Sequence, residues 1–177
     1  RMRLAQKELP RYGAFTACYF GNVSSDRHVP EIIDAVCGLP GCEFLLAGPE
    51  MEKGALATCL EKMGRCEGME YLGYLMRDEL LERTARCHCI VLMLDSDNPH
   101  HRVPVPNKMY EGAVCHTPVI TTDGTSSADM VRRYGMGLVV ADNSPESIGR
   151  ALRSLLSDRG LWESCVEGCR NAEYDIT

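Results

Sequence analysis

Short apolar segments alternate with segments of helical periodicity along the chain from Ala14 onward. Most of the apolar segments run into Gly, Asp, Ser or Asn within two residues, which is typical of strands that end in a turn. These segments are 14–20, 43–47, 69–72, 88–94, 118–121 and 137–140. The pattern therefore predicts six strands.

The segments between these strands carry apolar residues three or four positions apart, so each predicts a helix with one buried face. The clearest helix begins at Ser144-Pro145-Glu146, which combines an N-cap residue, a first-turn proline and an acid near the positive helix end. Strands that alternate with helices favour right-handed crossovers and a parallel sheet covered on both faces. We predict a doubly wound α/β domain, in which ligands bind beyond the carboxyl ends of the strands.

The composition is that of one globular domain. The chain has 177 residues, of which 45% are hydrophobic and 25% are charged, and its net charge is −6. The basic residues are spread thinly, which disfavours nucleic acid as a partner. No apolar segment approaches the roughly 20 residues of a membrane span, and the N-terminus lacks a signal-peptide core, so we expect a cytoplasmic protein. We expect residues 1–13 to be a linker, residues 14–177 to be the domain, and the whole to be a piece of a longer chain.

The ten cysteines do not form a recognisable metal motif. Several lie inside apolar segments, no C-x-x-C occurs, and the tightest group is Cys87-His88-Cys89. In an extended segment the two cysteines share one face and the histidine lies on the other, which is a poor arrangement for binding one metal ion. We expect reduced cysteines that act as small hydrophobic residues, and no metal site.

Polar loops follow the predicted strands at the edge where a ligand would bind. The loop 21–28 contains neither G-x-G-x-x-G nor G-x-x-x-x-G-K-[ST], which disfavours the dinucleotide and P-loop modes of binding. Arg27 precedes a predicted helix, where a guanidinium and helix N–H groups suit an anion; a solvated arginine is the alternative. His100 and His101 lie in a long polar loop, and we interpret them as solvated residues rather than as acid-base groups.

Lys108 and Glu111 lie in the first two turns of a helix that we predict from 107 to 115, started by Pro106. They share a helix face, and an isolated pair of this kind is worth only about 0.2–0.5 kcal/mol. A cation near the positive end of a helix is unfavourable unless an anion lies beside it. Two interpretations remain, a brace of the first turn and a ligand contact, and we favour a bound anion.

The loop after the fifth strand also admits two interpretations. Gly124, Thr125 and Ser126 offer backbone N–H and hydroxyl groups that suit hydroxyls or phosphate oxygens of a ligand. Ser126 and Asp129 equally match an S-x-x-D capping box, which explains both residues without a ligand.

Five segments, in order, resemble the donor-binding C-terminal half of a GT-B glycosyltransferase, in the retaining group called family 4 or the glycosyl transferases group 1. The most specific is P-x-K-x-x-E-x-x-A-x-G-x-P-V-I, which is similar to the stretch from Pro106 to Ile120. The other segments lie within 21–35, 44–49, 69–80 and 137–144. The resemblance covers most of the chain, about 14–174, and implies a Rossmann-like domain.

The resemblance implies that a nucleotide-diphosphate sugar is the donor. By position, Arg27, Asn22 and Lys108 would contact the donor diphosphate, and Glu111 would hold the ribose. Transfer of a hexose-type sugar in this family is metal-independent, so no metal or other cofactor is expected. The acceptor, a glycan, a lipid or a small molecule, would bind an N-terminal domain absent from this chain, which alone would be inactive.

The same resemblance assigns the rest of the donor site. Tyr74 and Leu75 would lie near the base, and Gly124, Thr125 and Ser126 near the sugar or phosphate. Any attachment to a membrane surface would lie mainly in the missing half.

Three positions depart from the family pattern. Asn22 stands where an arginine usually contacts phosphate, Val103 where many members carry the first Glu of an E-x-x-x-x-x-x-x-E motif, and His116 where a glycine is usual. The first two changes remove a charge-assisted contact and a donor-sugar contact. The alternatives are a non-catalytic nucleotide-binding or scaffold module of the same fold, and part of a nucleotide-sugar 2-epimerase.

Overall fold

Six parallel strands form a single sheet in the computed structural model, which describes residues 10–102 and 104–176. The strands are β1 (Phe15–Phe20), β2 (Cys42–Ala47), β3 (Met69–Tyr71), β4 (Cys89–Leu92), β5 (Val119–Thr122) and β6 (Gly137–Val140). Their order in the sheet is β3-β2-β1-β4-β5-β6. The predicted six-stranded parallel sheet is confirmed, and the apolar runs locate each strand to within two residues at either end.

Helices connect the strands and pack on both faces of the sheet. They are α1 (Val29–Cys37), α2 (Ala55–Met63), α3 (Arg77–Arg86), α4 (Pro99–Arg102), α5 (Asn107–Val114), α6 (Ser126–Tyr134), α7 (Pro145–Ser157) and α8 (Arg159–Ile176). Helix α1 packs against α2 and α7, whereas α5 packs against α3 and α8. Among the helices that the structure describes, none combines the length and apolar character needed to cross a bilayer.

Helix α4 lies inside the segment 95–105, which was predicted to be a long loop. The side chain of Asn98 accepts a hydrogen bond from the His100 N–H at 3.0 Å. Pro99 follows at the first helical position, where its fixed φ suits a helix and its missing N–H is not needed. An N-cap and a first-turn proline therefore start a helical turn here.

The strand order reverses between β1 and β4, the two central strands. Strand β1 pairs with β2 on one side and with β4 on the other. Helices that follow β1 and β4 leave in opposite directions at such a point, so a crevice opens beyond the carboxyl ends of both strands. The ligand edge of the sheet is therefore the edge that carries the loop 21–28 and the start of α5.

The amino edge of the sheet is closed by Arg11 and Tyr12, which belong to the segment predicted to be a linker. Arg11 donates hydrogen bonds to the Cys87 carbonyl, to the His116 carbonyl at 2.6 Å and to the Thr117 hydroxyl at 3.0 Å. The Tyr12 N–H donates to the Arg86 carbonyl at 2.9 Å. The described end of that segment is thus attached to the domain.

His88 lies beside this attachment, between aromatic rings. Its Nδ1 accepts a hydrogen bond from the Thr16 N–H at 3.0 Å, and its ring stacks on Phe15 with 5.0 Å between centroids. Burial, helped by the charge of Arg11, lowers the pKa of His88 to about 4. The flanking Cys87 and Cys89 are fully buried, and no group of three or more potential metal ligands occurs in the described part of the chain.

Two of the ten cysteines are joined, so the expectation that all are reduced is wrong for Cys37 and Cys66. They form a disulfide between residues 29 positions apart in sequence, with 5.6 Å between the Cα atoms. The other eight cysteines are buried free thiols, as small hydrophobic residues would be. Sequence spacing gave no sign of the disulfide because only the packing of α1 on α2 brings these residues together.

His88→Asn should flatten part of the pH dependence of stability. The folded pKa of about 4 lies below the ordinary value of 6.5, so the unfolded state binds more protons between these values and the stability supplied by neutral His88 is lost as pH falls through that window. Asn keeps an acceptor near the position of Nδ1 and does not titrate. We expect the advantage of the parent over the variant, measured by urea unfolding, to shrink from pH 7 to pH 4. A difference that stays constant would contradict the assignment.

Candidate functional site

Lys108 lies directly over the end of β1, in the crevice between β1 and β4. A Cβ atom placed on Gly21 would come within 3.2 Å of the Lys108 Cε atom and 3.2 Å of the Tyr19 hydroxyl. Glycine therefore gives the lysine stem room to cross the strand end. The candidate residues of the first loop and of α5 meet at this point.

Lys108 and Glu111 form an ion pair with 2.9 Å between Nζ and Oε2. Their side chains are only 16% and 11% exposed, so this is a largely buried pair rather than a surface brace. Helix α5 begins after Pro106, which has an extended backbone, and so the first two turns of the helix direct the pair to the crevice. Burial of two charges is costly in itself, and hence the pair needs a reason beyond the stability of the helix.

Tyr19 fixes the start of the loop after β1, a role that the sequence did not reveal. The side chain is buried, and its hydroxyl donates to the Asn22 carbonyl at 2.8 Å. Burial raises the pKa of Tyr19, while the nearby charge of Arg27 acts to lower it. The Tyr19 hydroxyl thus lies beside Gly21, near Lys108, and is influenced by the charge of Arg27.

The loop after β1 is held against the loop after β2 by backbone hydrogen bonds. Gly21 N–H donates to the Ala47 carbonyl at 2.8 Å, and Val23 N–H donates to the Pro49 carbonyl at 2.9 Å. Gly48 has φ 131°, and a Cβ atom there would lie 2.0 Å from the Gly21 carbonyl oxygen. Only glycine fits this approach, so the two loops form one rigid rim of the crevice.

Arg27 ends a short 3-10 turn, Ser25–Arg27, immediately before α1. Its Nε lies 3.7 Å from the Asp26 carboxylate, and the side chain is 26% exposed. The Nε of Arg27 and the Nε2 of His28 are buried without a hydrogen-bond partner in the described part of the chain. A solvated arginine would not bury this atom, whereas an arginine that awaits an anionic partner at a helix N-terminus would.

Tyr74 and Leu75 follow β3 and differ in exposure. Tyr74 is 73% exposed, whereas Leu75 is buried in the core. The loop is tied to the rim, because the Tyr71 hydroxyl donates to the Gly48 carbonyl at 2.9 Å and the Gly48 N–H donates to the Gly73 carbonyl at 2.8 Å. Of the two predicted residues near the base, only Tyr74 offers side-chain surface to a ligand.

Hydrogen bonds within the protein account for the polar residues of the loop after β5. Thr125, not Ser126, caps α6 by accepting from the Ala128 N–H at 3.2 Å, so the predicted capping box is wrong. Because Thr125, Ser126 and Ser127 are consecutive hydroxyl residues, the sequence did not show which of them is the N-cap. Ser126 instead donates to the Pro104 carbonyl at 3.1 Å, and the Gly124 N–H donates to the Asp123 carboxylate at 2.7 Å.

Asn143 was missed by the sequence analysis and joins three strand ends. Its Nδ2 donates to the Leu94 carbonyl at 3.0 Å, and its Oδ1 accepts from the Thr122 hydroxyl at 2.5 Å. The same hydroxyl accepts from the Leu94 N–H at 3.1 Å. The segments after β4, β5 and β6 are therefore locked together beside the crevice.

Of the two histidines in the loop after β4, the structure describes the side chain of His100 alone. His100 is exposed, as expected for a solvated residue. The side chain of His101 and the residue Val103 lie outside the described part of the chain.

The crevice offers two cations, one partly paired carboxylate and the N-termini of α1 and α5. These groups suit an anionic ligand that also carries hydroxyl groups.

Comparison with known proteins identifies relatives of this arrangement. A family model described as Glycosyl transferases group 1 matches residues 15–158. Glycogen synthase of Mycobacterium tuberculosis is 26% identical over 153 residues, which cover 84% of this chain and 36% of that protein. The chain therefore spans little more than a third of the length of this curated relative.

Solved structures share the fold, and the predicted fold class is confirmed. Anabaena Alr3699/HepE in complex with UDP-glucose matches 92% of this chain and 44% of its own, with TM-score 0.79 and 14% identity. Sucrose-phosphate synthase from Thermosynechococcus elongatus matches 93% of this chain and 41% of its own, with TM-score 0.77 and 15% identity.

A double-mutant cycle should show that Lys108 and Glu111 are coupled. Lys108→Met leaves a buried carboxylate without its partner, so we expect the free energy of unfolding to fall by about 3 kcal/mol. Glu111→Gln should lower it by about 1 kcal/mol. The double variant should lose less than the sum, since neither charge is then left alone.

Urea unfolding of the four proteins measures this cycle. Arg159→Met is the matched control, because Arg159 and Glu163 form an exposed pair whose loss should be barely measurable. Strictly additive losses for Lys108 and Glu111 would show that the two side chains do not interact.

Proposed function

The chain belongs to the glycosyl transferases group 1 family, and we propose that it is the part of a glycosyltransferase that binds the nucleotide-diphosphate-sugar donor. The observation that carries this proposal is the Lys108–Glu111 pair, held over Gly21 in the crevice where the strand order reverses. A buried cation and carboxylate side by side match the diphosphate and the ribose of such a donor.

The choice of donor to test first rests on a structural neighbour. Alr3699/HepE was solved with UDP-glucose and with UDP, so we propose a UDP-hexose as the first candidate for this chain. Because the chain covers 36% of the glycogen synthase and 44% of Alr3699/HepE, we assign acceptor binding to a separate N-terminal part. We further propose a retaining, metal-independent transfer to a glycan, lipid or small molecule in the cytoplasm, at a membrane surface where the acceptor is a lipid.

We assign the diphosphate to Lys108 and Arg27. Both side chains are cations at helix N-termini, and the buried Nε of Arg27 lacks a hydrogen-bond partner in the described part of the chain. A charge-assisted bond from each cation to a phosphate oxygen would satisfy that donor and offset the unfavourable position of Lys108 in the helix field. Asn22, exposed at the start of the same loop, contributes an amide rather than a charge.

We assign the ribose to Glu111. Lys108 occupies one of its oxygens, Oε2. The described residues provide no hydrogen bond to the other oxygen, Oε1, which is free to accept from a ribose hydroxyl. Tyr74, exposed after β3, is the aromatic side chain placed to pack on the base.

A scaffold module of the same fold is the second candidate, and Asn22 is the observation that favours it. An amide in place of a guanidinium loses a charge-assisted contact to the diphosphate. Calorimetric titration with nucleoside diphosphates and their sugars separates the two candidates. A folded sample that binds none of them would support the scaffold.

Glu111→Gln should weaken UDP binding about tenfold, since a hydrogen bond to a charged acceptor is worth more than one to a neutral acceptor. The loss should be smaller for 2′,3′-dideoxyuridine diphosphate, which lacks the hydroxyls that Glu111 would hold. Glu163→Gln, on the exposed surface of α8, is the matched control and should bind as the parent does. Equal UDP affinity of Glu111→Gln and the parent would rule out the ribose assignment.

Substitutions in the first loop should act on phosphate alone. We expect Arg27→Gln to weaken UDP binding about tenfold and Asn22→Arg to strengthen it by a similar factor, because each changes one charge-assisted contact. Uridine, which has no phosphate, should bind all three proteins equally. Calorimetry at two salt concentrations checks this, and a parallel change in uridine affinity would show instead that the loop has been disturbed.

A further inference from the structure

The Cys37–Cys66 disulfide lies on the surface, at the ends of two helices that lead away from the donor site. Cys37 is the last residue of α1, and Cys66 follows the end of α2 by three residues. Cys37 is exposed and Cys66 is half-buried, whereas all eight free cysteines are buried. Among the cysteines, therefore, only the two of the disulfide are open to a thiol reagent in solution.

An ion pair reinforces the same junction. The Lys62 ammonium lies 2.6 Å from the Asp34 carboxylate, which connects the last turns of α2 and α1. We call the disulfide and this ion pair together the clasp. The disulfide is the covalent part of the clasp, and the exposed ion pair alone would contribute little.

The opposite ends of α1 and α2 carry the rim of the crevice. Val23 and Glu50 form a backbone bridge between the loops that precede the two helices. The Ser25 N–H donates to the Glu52 carboxylate at 2.9 Å. Each helix has nine residues and is therefore about 13 Å long, so the clasp and the rim are the two ends of one short, packed helix pair.

We propose that Cys37–Cys66 is a thiol–disulfide exchange site, reduced by dithiols, whose reduction loosens the α1–α2 pair and the rim loops 21–28 and 48–54. The proposal goes beyond donor binding and does not depend on it.

The difference in exposure between Cys37 and Cys66 decides which of the two is attacked first. A thiolate of the dithiol attacks the sulfur of Cys37, the more exposed residue of the two. The bond to Cys66 breaks, and Cys66 leaves as a thiolate that takes a proton from water. The second thiol of the reagent then displaces Cys37 from the mixed disulfide. The reagent leaves as its own disulfide, and the protein has gained two electrons and two protons.

After reduction, the surroundings of Cys66 favour the protonated thiol over the thiolate, which is the nucleophilic form. Its sulfur lies 3.5 Å from the Lys62 carbonyl oxygen, which is an acceptor ready for the S–H group. Both cysteines lie at helix C-termini, where the helix dipole disfavours a thiolate. The site is therefore a target of exchange and not an oxidoreductase centre, since catalytic thiols occupy helix N-termini.

The free cysteines do not compete for the reagent. Burial raises the pKa of Cys42 to about 12 and that of Cys59 to about 11. Both thiols are thus protonated and inaccessible while the chain is folded.

Selective labelling tests the site on the chain as it stands. The folded protein is treated with dithiothreitol, alkylated with iodoacetamide and mapped by mass spectrometry. We expect no alkylation without dithiothreitol, and alkylation of Cys37 and Cys66 alone after it. The proposal is overturned if these two thiols react before reduction, if they stay closed until urea is added, or if the buried cysteines react equally.

Stability and hydrogen exchange test the consequence of reduction. Reduction should lower Tm by about 10 °C and raise amide exchange about tenfold in the last turns of α1 and α2 and in the rim loops. The variant Cys37→Ser/Cys66→Ser should match the reduced parent and should not respond to dithiothreitol. Asp34→Asn, which keeps the disulfide, is the control and should shift Tm only slightly.

Exchange that rises only at the helix ends, or a Tm unchanged by reduction, would overturn the coupling between the clasp and the rim. Because these measurements use no nucleotide, they remain informative even if the proposed donor binding fails.

Discussion

The pairing of β1 with both β2 and β4 decides where every other part of the molecule lies. It places the reversal of strand order between β1 and β4, and so opens the crevice at the carboxyl ends of the two central strands. Gly48 then allows its backbone to touch that of Gly21 where any side chain would collide. Backbone contacts therefore determine the shape of the crevice rim, and side chains such as Lys108 occupy the space that the sheet leaves.

The Lys108–Glu111 pair shows how a charged group is retained in a place where it is costly. An apolar pair of similar size would serve the helix as well or better, because buried ion pairs contribute little net stability. The lysine also opposes the field of its own helix. A bound ligand would offset both costs if its negative charge contacts Lys108 and its hydroxyls contact Glu111. Within the described residues, Lys108 is hydrogen-bonded to Oε2 of Glu111, and the buried Nε of Arg27 has no hydrogen-bond partner.

The elements that sequence predicted best are those fixed by local pattern. Alternation and periodicity located all six strands, and Pro106 located the start of α5. The sequence could not show which of Thr125 and Ser126 caps α6, because neighbouring hydroxyls offer the same chemistry one residue apart. Tyr19 looked like an ordinary core residue, and Cys37 and Cys66 looked unrelated. Their roles depend on distances between segments that come together only in the folded sheet, which no spacing along the chain records.

The eight buried thiols have a consequence for the lifetime of the fold. They are inert only while they are covered, and when the chain opens they become ordinary thiols with pKa values near 8.5. Each can then attack the Cys37–Cys66 bond and trap the chain in a mispaired form that does not refold. Heating at neutral or alkaline pH should therefore end in covalent scrambling rather than in a reversible transition. The durability of this protein is governed by how rarely it opens, a rate, rather than by an equilibrium free energy.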